Sequence, residues 1–114
     1  MQRDAAYIRD ILGAAAAAQE YLRDVSLGAF LAAREKQDAV VRNLEIIGEA
    51  VRRLSDETKA SIPGVAWEQF RRLRNFLIHV YDNVDLKLVY DTVKGSLPQL
   101  ERAIRAAVPQ EDDS

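Results

Sequence analysis

The segment from Trp67 to Tyr81 holds the side chains best suited to chemistry in this 114-residue chain. His79 is the only histidine, and so the only side chain whose unperturbed pKa lies near neutrality, where a proton is readily taken and returned. Arg71, Arg72 and Arg74 supply guanidiniums that suit anions, and Asn75 stands one helical turn before His79. Projected at about 100° per residue, Glu68, Arg72, Asn75 and His79 share one face within roughly 60°. Phe70, Leu73, Leu77 and Val80 take the opposite, core-facing side. Trp67, Arg74 and Tyr81 form a seam between the two faces. Phe76 and Ile78 flank the polar stripe, and an apolar rim around polar groups predicts a buried or partner-covered pocket.

Each of these residues also has an ordinary structural reading. A histidine at a helix end caps carbonyls and complements the helix dipole. Clustered arginines are commonly surface charges, and Tyr81 suits the edge of a core. Glu45 and Glu49, with Arg52 and Arg53, read as solvated pairs on one helix, since Glu49 to Arg53 is a favourable four-residue step.

The elements that must position this segment are helical. The chain has 17 Ala, 12 Leu and 12 Arg but only two Thr, five Gly and three Pro. Apolar steps of three and four predict a first helix from Asp4 to Asp24, in which Ala14 to Ala18 supply small side chains for close helix approach. Ser26 caps a short turn, and a second long helix runs from Glu35 to Leu54 with Gly48 on its apolar stripe, the mark of a tight helix contact. Ser55 to Gly64 reads as a connection with one helical turn, ahead of the helix from Ala66 to Val80. Asp85 caps the last helix, in which Ser96 and Gln99 have capping-box spacing and Pro98 predicts a kink or restart. The fold expected is an all-α, up-and-down bundle of four to five helices. Its core is built from Ile8, Ile11, Leu44, Ile47, Val51, Phe70, Leu73, Leu77, Val93 and Leu100. It forms one domain over residues 1–108, with 109–114 a disordered acidic tail.

Composition narrows the function classes. A net charge of −2 leaves any nucleic-acid contact to a local basic cluster. The absence of cysteine excludes a disulfide scaffold and a thiolate metal site, and no apolar run is long enough to span a membrane. A soluble, cytoplasmic protein without metal or other cofactor is expected.

Arg74-Asn-Phe-Leu-Ile-His-Val-Tyr81 is an R-x4-H-x-Y string, and it resembles the signature of HEPN-domain ribonucleases, specifically HepT-like toxins. Arg42-Asn-Leu-Glu-Ile-Ile-Gly-Glu-Ala50 looks like that family's second-helix motif, and Ile62-Pro-Gly-Val-Ala-Trp67 like the segment before its active helix. Val84-Asp-Leu86 and Leu97-Pro-Gln-Leu100 are similar to its last helix, so the resemblance covers most of the chain. Two departures stand out: Ala66 occupies a position where the family often has Pro, and Asp82-Asn83 replaces an aromatic-Gly pair.

The resemblance implies a homodimeric endoribonuclease acting on RNA without a metal, paired with a minimal nucleotidyltransferase antitoxin, MntA, that adenylylates Tyr81. Cutting RNA without a metal needs a base near the 2′-hydroxyl, a cation on the phosphate and an acid for the leaving oxygen. His79 fits the base, Arg74 the anion clamp and Asn75 a positioning donor, with Arg71, Arg72 and Tyr81 in support. Arg74 and His79 lie about 140° apart on an ideal helix, so either the helix distorts or a second chain completes the site. The alternative reading is a non-catalytic helical module that binds nucleotide or substrate for a nucleotidyltransferase.

Overall fold

The apolar steps of three and four fold as helices throughout the computed structural model. It describes residues 2–79 and 84–108, without the side chains of Gln2, Ile78 and His79. The helices are α1 (Gln2–Tyr21), α2 (Leu27–Leu31), α3 (Arg34–Arg53), α4 (Asp56–Ser61), α5 (Trp67–His79), α6 (Leu86–Asp91) and α7 (Leu97–Ala107). A π-helical turn, Thr92–Ser96, joins α6 to α7, so the two run on as one long element. Four long elements thus form the bundle, and α2 and α4 are short links. No strand occurs among the described residues, and the tail expected at 109–114 lies outside them.

Local chemistry sets the helix ends. Ser26 Oγ accepts from Ala29 N, Ser55 Oγ from Thr58 N and Asp85 Oδ1 from Leu88 N, each at 3.1 Å, satisfying donors that a helix start leaves free. The chain leaves α1 through Asp24 at φ 58°, the left-handed conformation that ends many helices and that Asp tolerates better than most residues. The carbonyls exposed beyond α1 are met from far along the chain. Lys94 Nζ donates to Leu22 O at 2.7 Å and the Tyr90 hydroxyl to Val25 O at 2.6 Å.

The start of α1 lies against the end of α3, because buried Asp4 accepts from both the backbone and the hydroxyl of Ser55 and from the Thr58 hydroxyl. Ala14, Ala15 and Ala18 are buried, as expected of the small residues that let α1 and α3 pack closely. Ile8, Ile11, Leu44, Ile47, Val51, Phe70, Leu77, Val93 and Leu100 are all buried. Leu73 departs from the expected core. It is only partly buried, because it stands at the edge of α5 facing a groove toward α6.

The last helix also differs from its sequence reading. Ser96 makes no capping hydrogen bond and stays helical at φ −72°, ψ −38°, so no capping box restarts the helix. Pro98 has no N–H for the carbonyl four residues back, and the Thr92 hydroxyl bonds Leu88 O at 2.8 Å, two departures from the regular ladder that the π turn accommodates.

Gly48 decides how α3 and α5 cross. A Cβ placed there would lie 2.2 Å from Arg74 Cβ and 3.1 Å from the Phe70 carbonyl oxygen, so only glycine allows this approach. The Trp67 indole N–H, donating to Lys59 O at 3.2 Å, fixes the start of α5 against α4.

Three outcomes follow for stability, measured by chemical and thermal unfolding. Leu77→Ala should cost about 2–5 kcal/mol, as large-to-small changes in a filled core do, and Leu73→Ala clearly less. Gly48→Ala should destabilise by about 1–3 kcal/mol despite its better helix propensity, because the two backbones must part. The Ser55 and Thr58 hydroxyls hold the Asp4 carboxyl below its usual value of 3.8, so Asp4 stabilises the fold above that pH and the contribution fades as pH falls through its lowered folded value. Asp4→Asn should therefore lower Tm at neutral pH, with the gap to wild type closing in acid. A gap that stays constant would show that the Asp4 charge does not act.

Candidate active site

α5 is α-helical from Trp67 to His79, so its residues keep the order of the ideal projection. The described polar side chains divide between two sides of it. On the α3 side, Arg74 is half-buried, with 23% of its side chain exposed, and its Nη2 lies 3.0 Å from Oε1 of Glu49. Arg74 Nη1 also donates to Asn75 Oδ1 at 3.4 Å, which brings two of the expected site residues together. Arg74 and Glu49 line a cleft of about 330 Å³ between α1, α3 and α5, with Tyr7, Asp10, Arg42 and Glu45 among others; Asn75 does not line it.

On the α6 side, Arg72 is exposed and lines a groove of about 600 Å³ with Gln69, Leu73, Phe76 and Leu88. Arg71 turns to Glu68 one turn back on the same helix, at 3.0 Å. The hydrogen bonds of that pair push the Glu68 carboxyl down and the Arg71 guanidinium up. Neither Arg71 nor Arg72 is brought to Arg74. His79 closes α5 and its side chain is not described; Tyr81 lies outside the described residues.

Glu49 corrects the sequence reading. It does pair with its own helix, accepting from Arg52 Nη2 at 2.9 Å and Arg53 Nε at 2.6 Å, but it also reaches across to Arg74. Hydrogen bonds from Arg52 and Arg53, aided by the charges of Arg52 and Arg74, hold its carboxyl down to about 2 against the opposing effect of burial. It therefore stays ionised at every pH near neutrality. The signal was present in the sequence. A glycine on an apolar stripe marks a close crossing, and the acid beside it is placed to meet whatever the crossing helix presents.

The arrangement offers a partly desolvated guanidinium, tied on one edge and close to an amide, on the helix that ends at the only histidine. Such a guanidinium suits a phosphate, since Arg combines a permanent charge with paired N–H donors. The Phe76 ring, 36% exposed, and Leu88, 47% exposed, put apolar surface on the other side of the polar stripe, as the expected rim required on that side.

Comparison with known proteins places the chain in a family. The family model "Ribonuclease HepT-like" matches residues 11–107. The "Probable ribonuclease HepT" of Thermococcus cleftensis is 37% identical over 95 residues, which covers 83% of this chain and 86% of that protein. A Methanocaldococcus jannaschii protein that carries an RNase name is 34% identical over 99 residues, covering 87% of this chain and 91% of that one. A longer protein from the same organism, whose name joins gamma-glutamylcyclotransferase with RNase, is 36% identical over 98 residues, and only 44% of its length is covered. No solved structure gives a significant match. With the family match running from α1 to the end of α7, the chain belongs to the HepT-like ribonuclease family.

Proposed function

We propose that this chain is the toxin of a toxin–antitoxin pair, a metal-independent endoribonuclease that works as a two-fold homodimer. The observation that carries this reading is Arg74, held half-buried beside Asn75 on the helix that ends at His79. In this reading His79 is the base for the ribose 2′-hydroxyl. Arg74 clamps the phosphate as negative charge builds on it, and Asn75 positions the substrate. Arg72, free of a close ion pair among the described residues, is available to the RNA backbone at the exposed edge of α5.

The regular course of α5 supports a shared site. On an undistorted helix Arg74 and His79 diverge by about 140°, so one chain does not converge both on one phosphate. Two α5 helices paired across a two-fold axis place two His79 and two Arg74 in one cleft, and the apolar surface of Phe76 and Leu88 suits burial beside it. The partner in this reading is an MntA-type nucleotidyltransferase. It directs the Tyr81 hydroxyl at the α-phosphate of ATP, leaving AMP on the tyrosine and releasing pyrophosphate. A phosphate on Tyr81, seven residues after Arg74 in the sequence, competes with RNA for that cation.

Purified protein should cut unfractionated RNA in the presence of EDTA. Arg74→Ala and His79→Ala should abolish the cut with Tm nearly unchanged, since Glu49 keeps two other partners when Arg74 is removed. Arg74→Lys should rescue poorly, because lysine lacks the paired donors of the fork. An inert wild type would instead support the non-catalytic module. For regulation, incubation with an MntA-type partner, Mg²⁺ and ATP should add the mass of one or more AMP units at Tyr81, and Tyr81→Phe should escape both modification and inhibition. Modification at Tyr7, Tyr21 or Tyr90, or neutralisation by tight binding alone, would reject this mechanism and leave the nuclease standing.

A further inference from the structure

One carboxylate on α3 faces three guanidiniums, and only one of them comes from another helix. We propose that Glu49 is a positioning residue for Arg74, setting the direction in which that guanidinium offers its remaining N–H groups to a substrate phosphate. The proposal rests on Arg74 being the anion clamp of the nuclease.

An arginine side chain has many rotamers, and an unrestrained one loses that freedom only when it meets its ligand. Here Nη2 is tied to Glu49 at 3.0 Å and Nη1 to Asn75 at 3.4 Å, which fixes the plane of the fork before substrate arrives. The guanidinium has five N–H groups, so donors remain beyond those two contacts for an incoming phosphate. The crossing makes this reach possible. Because Gly48 carries no side chain, the α5 backbone approaches until the next residue on α3 spans the gap.

Arg52 and Arg53 give Glu49 a second property. They supply its other hydrogen bonds, so the carboxylate keeps partners if Arg74 shifts toward a phosphate, and no unpaired charge is left behind. A lone Glu–Arg pair would resist that shift far more. The cleft around them is balanced in charge, with Asp10, Glu45 and Glu49 against Arg42, Arg53 and Arg74. That balance favours a device for holding Arg74 over a second cradle for RNA.

The test is steady-state cleavage of an oligoribonucleotide that the wild-type protein cuts, with thermal unfolding of every variant alongside. Glu49→Gln keeps the shape and removes the charge. It should lower kcat by up to about 100-fold, the scale of a misplaced catalytic group, while Tm stays within a few degrees. Glu49→Asp keeps the charge and withdraws it by one methylene, and should give an intermediate loss. The decisive readout is the double variant. In the Arg74→Lys background, Glu49→Gln should cost little more, because both changes act on the same contact, whereas independent roles multiply. Wild-type kcat in Glu49→Gln, or in Glu49→Asp if the Gln variant does not fold, overturns the proposal, and so do multiplicative losses. Full activity in Arg74→Ala would instead overturn the clamp assignment itself, an outcome that single-site measurement separates from the others.

Discussion

The close passage of α5 over Gly48 is the contact on which the rest of the site depends. Helices pack at the distance their interfacial side chains permit, and here one side has none. The backbones come close enough for Glu49 to meet Arg74, and the guanidinium is drawn partly out of water, where its electrostatic reach is greater than at the open surface. The same crossing fixes the rotation of α5 about its axis. With Arg74 committed to α3, Arg72 and Phe76 must face α6, and the stripe containing Asn75 is left between them.

Rotation alone does not hold a helix in place, and the bundle secures α5 and its neighbours through polar groups at element ends. Trp67 hooks the first turn of α5 to the end of α4, and α4 is itself tied to α1 through Asp4. The Asp4 bond joins elements 54 residues apart, the Trp67 bond elements that follow one another, and no buried side-chain donor or acceptor among the described residues lacks a partner. The position of Arg74 thus follows from a chain of contacts that begins near the N-terminus, although no described side chain of α1 bonds to it directly.

Much of this was legible in the sequence because helices announce themselves locally. Apolar spacing located the long elements within a few residues, and Ser26, Ser55 and Asp85 stood where helix starts need an oxygen. What was not legible depends on which helix lies opposite. Leu73 lies on the apolar side of α5 yet meets a groove, because α6 does not close over that edge. The Ser96 and Gln99 pair has the right spacing for a capping box, but a cap forms only where a helix begins, and the chain passes this point through a π turn. Glu49 looked complete with Arg52 and Arg53, since periodicity shows neighbours along one helix and not those across a crossing. Of the candidate site, the pairing of Arg74 with Asn75 emerged from adjacent residues, whereas its anchor came from 25 positions away in the sequence.

The hydrogen bonds from Tyr90 and Lys94 to the carbonyls just past α1 bear on the timing of synthesis. They join positions 65 and 72 residues apart, so the end of the first helix must wait for α6 and the π turn to be made. Contacts of such long separation form late, after the loop between them has closed. A nascent chain still lacking α6 and α7 has α1 packed on α3 but not yet the contacts that the π turn and α7 add to it. An enzyme that cuts RNA is made on a machine built of RNA, and this topology delays the finished nuclease until α6 and the turn that follows it have been made.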